Sequence, residues 1–87
     1  SGCVPTITSV APYEGAEGDV ITLTGTNFTG VTQVVFNVFT AATVFAADSD
    51  TQITVKVPGG LTVGDGTIEV KTPRGVSPRY FDFYVLP

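Results

Sequence analysis

The carboxylates are the first residues in this chain that could do chemistry. Asp48-Ser49-Asp50, with Asp65 further on, offers alternating acids of the kind that ligate calcium. A hard cation takes six or more oxygens from a shaped loop, and two alternating aspartates fall short of that number. Asx-turns explain them more simply, so no metal is expected. Glu14, Glu17 and Asp19 crowd one turn region and come nearest to an acid–base pair. A turn in open solvent supplies neither the burial nor the fixed neighbour that tunes a pKa for catalysis. The chain has no histidine, methionine or tryptophan, which removes the commonest general base and the commonest metal ligand. The single cysteine, Cys3, precedes the first strand signal and cannot close a disulfide within the chain. No catalytic residue and no cofactor are expected, and the chain is not read as an enzyme.

The stretch Thr22-Leu23-Thr24-Gly25-Thr26-Asn27-Phe28-Thr29-Gly30 has the glycines of a binding loop. A phosphate-cradling loop needs Gly-Lys-Ser/Thr before a helix, and both the lysine and the helix are missing. Asn27-Phe28-Thr29 is formally a glycosylation sequon, yet a turn asparagine bonding its own backbone explains it more simply. The stretch is expected to carry shape. Leu23 faces in, Gly25 ends a strand, Phe28 tucks under the fold as an anchor, and Gly30 takes positive φ.

Exposed aromatic residues are the stronger candidates. Tyr80 and Tyr84 flank Asp82 in a run of period two, with Arg79 adjacent, and are expected on its solvent face. Tyrosine favours protein interfaces and can also stack on sugar rings. The competing reading is that these rings pack on a neighbouring strand, loop or domain. Tyr13 belongs to either case. Val38 and Phe39 form a second candidate contact, as an apolar loop tip.

The elements that must position these residues are strands. Turn residues recur at Pro12–Gly18, Gly25–Gly30, Asp48–Asp50, Pro58–Asp65 and Pro73–Pro78. The runs between them are rich in Val, Ile, Thr and Phe, a rhythm that predicts an all-β sandwich or barrel. Strands are expected over Thr6–Val10, Asp19–Gly25, Thr32–Val38, Thr43–Ala46, Thr51–Val57, Thr67–Lys71 and Tyr80–Val85. About seven antiparallel strands is the number of an immunoglobulin-like β-sandwich. Its core would hold Ile7, Val10, Ile21, Leu23, Val34, Phe36, Ile53, Val55, Ile68, Val70, Phe81 and Phe83, with Val85 joining the last two on one face. Pro58 and Pro73 lack the N–H a ladder needs and close strands.

Eighty-seven residues suffice for one domain. Residues 5–87 are read as that domain, and residues 1–4 as a linker or cloning remnant. Four basic residues stand against eight acidic ones, a net charge of −4, which argues against nucleic acid and anionic membrane surfaces. No apolar run is long enough to span a membrane.

An ordered set of residues carries a family resemblance. Pro5-Thr6-Ile7-Thr8-Ser9-Val10-Ala11-Pro12 is followed by Gly15, Gly18-Asp19 and Ile21-Thr22-Leu23-Thr24-Gly25-Thr26-Asn27-Phe28. Then come Phe36-Asn37, Ser49-Asp50-Thr51-Gln52-Ile53-Thr54-Val55, Val57-Pro58, Ile68-Glu69-Val70, Thr72-Pro73-Arg74-Gly75 and Phe83-Tyr84-Val85. In order and spacing these resemble the IPT/TIG family of immunoglobulin-like domains. The resemblance implies a non-catalytic module. Such modules occur, often in tandem, in bacterial surface and secreted proteins, beside carbohydrate-active enzymes, in plexin-type ectodomains and in Rel-type transcription factors. The acidic balance sets the last group aside. The chain departs from the family at Val38-Phe39, where many relatives place a glycine-containing turn, and at Arg79-Tyr80, where small polar residues are common.

Two readings of function follow. The first is a spacer and interaction module of an extracellular or cell-surface protein, bacterial by its resemblance, whose partners are protein, glycan or neighbouring domains. An odd number of strands would set Pro5 and Pro87 at opposite ends; a virion-decorating domain is a variant of this reading. The second is a carbohydrate-binding accessory of a polysaccharide-active enzyme, acting through Tyr80, Tyr84 and Tyr13.

Overall fold

The computed structural model describes residues 4–87; Ser1, Gly2 and Cys3 lie outside them. The strands are β1 (Thr6–Ala11), β2 (Glu14–Gly15), β3 (Val20–Thr26), β4 (Gln33–Phe36), β5 (Thr40–Ala41), β6 (Phe45–Ser49), β7 (Gln52–Lys56), β8 (Gly64–Thr72), β9 (Gly75–Val76) and β10 (Tyr80–Val85). One sheet runs β1-β3-β7-β6, and the other runs β2-β10-β8-β4-β5 with β9 paired to β8. All pairings are antiparallel except that of β2 with β10. The two layers form an immunoglobulin-like sandwich. Between β1 and β2 the chain crosses from one sheet to the other, through a cis peptide at Ala11-Pro12.

The core follows the alternation of the strands. Ile21, Leu23, Phe28, Val34, Phe36, Ile53, Ile68 and Val70 are fully buried. Phe36 and Phe83 meet edge to face, with ring centroids 5.8 Å apart. Ile7, on the edge strand β1, is only partly covered. Phe81, expected in the core, is 66% exposed. The chain ends follow from the strand directions. Pro5 enters at the pole that holds Asn27 and Gly75, beside the Thr6–Thr26 pairing. Pro87 leaves at the opposite pole, beside Ala16–Gly18 and Val57–Gly60. The body measures 39 × 21 × 20 Å.

Gly25 does not end its strand, which runs on to Thr26. Phe28 is the buried anchor and Gly30 has φ of 83°. The loop is clamped from both sides. Asp50 Oδ1 accepts hydrogen bonds from the Thr29 hydroxyl (2.6 Å) and amide (3.1 Å), while Arg74 donates to the Asn27 and Thr29 carbonyls, each at 2.8 Å. The Thr29 hydroxyl and then the Thr29 amide hold the Asp50 carboxyl below its usual value; desolvation opposes them, and the Asn27 amide and the charge of Arg74 add lesser lowering effects. A carboxyl with a lowered folded-state pKa stabilises fully above its unfolded value of about 3.9. That contribution is lost as the pH falls through the lower folded value. Stability is therefore expected to hold from neutrality to about pH 4 and to decline below it. Acid titrations monitored by circular dichroism, comparing the wild type with Asp50→Asn, should show this part of the decline missing in the variant.

The β4–β5 connection differs from the expected strand over Thr32–Val38, because the chain turns at Asn37. Asn37 extends the ladder by one residue: its amide donates to the Thr67 carbonyl (2.8 Å) and its Oδ1 accepts from the Thr67 amide (3.1 Å). Asn37 has φ of 53° and Val38 has φ of 74°. Asparagine tolerates this region, whereas a β-branched residue there is strained by about 1–3 kcal/mol. Val38→Gly relieves that strain and concedes some unfolded-chain entropy, so a net gain of about 1 kcal/mol is expected in urea unfolding. A loss of stability would contradict it.

Candidate interaction surface

β10 carries the candidate surface, and its register decides which residues belong to it. Tyr80 pairs with Ile68 and Phe83 pairs with Gly66. Two residues, Phe81 and Asp82, therefore oppose the single Thr67, which makes a β-bulge. Phe83 and Val85 face the core by simple alternation. The extra residue resets the alternation upstream of them. Tyr80 turns inward and packs against the core, while Phe81 and Asp82 are both exposed. The expectation of Tyr80 outside and Phe81 inside is thus corrected in both members, and the bulge is the cause.

Tyr84 is 42% exposed and lies on the outer face, between Asp65 of β8 and Glu14 of β2. Tyr13 is 67% exposed, and its carbonyl accepts the Tyr84 amide at 3.0 Å. Arg79 is exposed just before β10. On the other flank of β8, Val38 is half-buried and Phe39 is 93% exposed. Tyr84 and Asp82 thus share the outer side of the sheet, Phe81 joins them, Tyr80 leaves the set, and Tyr13 adjoins Tyr84 through its backbone carbonyl. The hairpin tip borders the same row, because Asn37 and the bulge both adjoin Thr67. Among the described residues, Thr67 Oγ1 is the buried side-chain oxygen without a hydrogen-bond partner.

The acidic candidates are distributed differently. Asp48 accepts from the Thr54 hydroxyl at 2.5 Å, Asp50 holds Thr29, and Asp65 stands in the opposite sheet. Asp19 Oδ2 accepts the Ala16 amide at 2.8 Å, closing a turn. Among the described residues no three His, Cys, Asp or Glu side chains gather as a metal site. An open cleft of about 630 Å³ lies at the pole where Pro87 leaves, lined by Val44, Lys56, Leu61, Val63 and Leu86 among others. None of the candidate surface residues lines it.

Two packed sheets, a closed apolar core and side chains displayed on one outer face define an immunoglobulin-like module. A profile of the IPT/TIG domain matches residues 5–84, and the chain belongs to that family. Among solved structures it is similar to gamma-CGTase from alkalophilic Bacillus clarkii, with 28% identity and a TM-score of 0.83 over 95% of this chain and 12% of that one. A structure with xylogluco-oligosaccharide matches at 25% identity and a TM-score of 0.79, over 98% of this chain and 20% of that one. SGBP-B from a complex xyloglucan utilization locus in Bacteroides uniformis shares the fold at 18% identity and a TM-score of 0.76, over 93% and 23% of the two chains. The chain thus spans between 12% and 23% of the length of these proteins. No curated protein matches it.

Proposed function

We propose that this chain is a non-catalytic spacer and interaction module of an extracellular or cell-surface multidomain protein that handles glycans. The carrying observation is the placement of Pro5 and Pro87 at opposite poles of a body 39 Å long. A rigid unit with its ends so placed sets the distance between whatever it joins. The neighbours support the glycan context: this fold sits within gamma-CGTase and within a protein of a xyloglucan utilization locus. Contacts with protein or glycan fall to Phe81, Asp82, Tyr84, Tyr13, Arg79 and the Val38-Phe39 tip. Spin labels at Val4→Cys and Leu86→Cys, in a Cys3→Ser background, test the spacer. One narrow distance distribution is expected; a broad or multimodal one would exclude a rigid unit.

A second reading, direct carbohydrate binding, is favoured by the exposed pair Phe81 and Tyr84 on one sheet face.

A further inference from the structure

The outer face of the β2-β10-β8-β4-β5 sheet concentrates what the fold tolerates at a cost. The β10 bulge, the positive φ of Val38 and the unpartnered Thr67 Oγ1 all fall on one row across the sheet, with Thr67 at its centre. Bulges re-aim side chains next to functional sites, and strained backbone clusters there as well. The residue re-aimed by this bulge is Phe81.

Phe81 and Tyr84 are three residues apart along β10, and because the bulge sets them against two residues of β8 the spacing is about 7–10 Å. Carboxylates surround them. Asp82 adjoins Phe81, and Asp65 and Glu14 flank Tyr84 on neighbouring strands, each about 4.8 Å to the side. Aromatic faces spaced along a strand suit the apolar faces of sugar rings. Ionised carboxylates accept hydrogen bonds and donate none, so they suit hydroxyl groups. The same three acids, on a chain of net charge −4, repel uronic or sulfated sugars, and the nearby Arg79 offsets only one of them.

We infer that Phe81 and Tyr84, with Asp82, Asp65 and Glu14 beside them, form a binding face for a neutral oligosaccharide, long enough to cover both rings. This rests on the carbohydrate-binding reading and adds to it the residues, the length and the charge class of the ligand. Both rings lie outside the core, so Phe81→Ala and Tyr84→Ala should leave the protein folded, with melting temperatures within a few degrees of wild type.

Isothermal titration with neutral xylogluco- and mixed-linkage gluco-oligosaccharides, with glucose, and with oligogalacturonate tests the inference. Weak binding of the neutral oligosaccharides is expected, at least tenfold weaker for glucose and for oligogalacturonate. Each alanine variant should lose at least fivefold, and the double variant should not bind. Neutral binding unchanged in both variants would overturn the face while leaving carbohydrate binding standing. No binding of any sugar at millimolar concentration would overturn both, and the spin-label distances would still judge the spacer separately. Preference for oligogalacturonate, or binding of a lysine-rich peptide in place of sugar, would also overturn the inference, the latter in favour of a cationic protein partner.

Discussion

Gly25→Ala is expected to lower stability by about 3 kcal/mol or more. A Cβ at this position would collide with the Thr6 carbonyl oxygen and stand 2.9 Å from its carbon and 2.6 Å from Phe28 Cζ. The backbone of Gly25 is not in the left-handed region, so the obstacle is space and not φ. Ordinary overpacking costs about 1–3 kcal/mol because side chains rotate aside. Here the blocking atoms include the backbone of β1, which cannot rotate without opening its pairing with β3. Phe28, the other obstacle, is fully buried and held by the loop that Asp50 and Arg74 clamp. A domain of this size has about 5–10 kcal/mol in total, and each kcal/mol moves its melting temperature by roughly 4–8 °C. Melting should therefore fall by about 12 °C or more. A melting temperature within 2 °C of wild type would show that β1 and Phe28 yield easily.

The second large effect is Phe36→Ala, with an expected cost of about 3–5 kcal/mol. Phe36 is fully buried at the end of β4 and meets the Phe83 ring edge to face. Its removal loses the transfer energy of the ring, leaves a cavity between the sheets, and removes an aromatic contact of about 0.5–1.5 kcal/mol already included in that range. Phe39, three residues on, is the internal control. It is 93% exposed at the hairpin tip, so Phe39→Ala should change stability by less than about 0.5 kcal/mol. Urea unfolding of the two variants should differ by several kcal/mol; equal effects would mean that the hairpin is folded back over the core.

The contrast between these two phenylalanines is legible in the sequence. Phe36 falls on the alternating face of Val34, and Phe39 follows an asparagine where a turn belongs. The seven expected strands appear as β1, β3, β4, β6, β7, β8 and β10; alternation is regular in β3, β7 and β8, whereas β4 buries three residues in a row and β6 overlaps the expected Thr43–Ala46 only at Phe45 and Ala46. Features that depend on long-range partners were less visible. β8 begins at Gly64, inside a stretch that reads locally as a turn, because pairing with Val85 extends it. Gly25 reads locally as a strand breaker, but its lack of a side chain makes room for Thr6 and Phe28. In β10 alternation misassigned Tyr80 and Phe81, because a bulge adds one residue on one strand and the evidence for it lies on the partner strand. The surface expected from the sequence therefore names Tyr80 where the exposed aromatic is Phe81.

The proposed contact face depends on that bulge, since it brings Phe81 out of the core. Urea unfolding of Tyr80→Ala and Phe81→Ala, measured side by side, tests it most directly. Tyr80 packs against the core and Phe81 is 66% exposed. Tyr80→Ala should lose about 2 kcal/mol, less than a fully buried ring, and Phe81→Ala less than about 0.5 kcal/mol. A large loss for Phe81→Ala with none for Tyr80→Ala would place Phe81 in the core and remove the proposed surface with it.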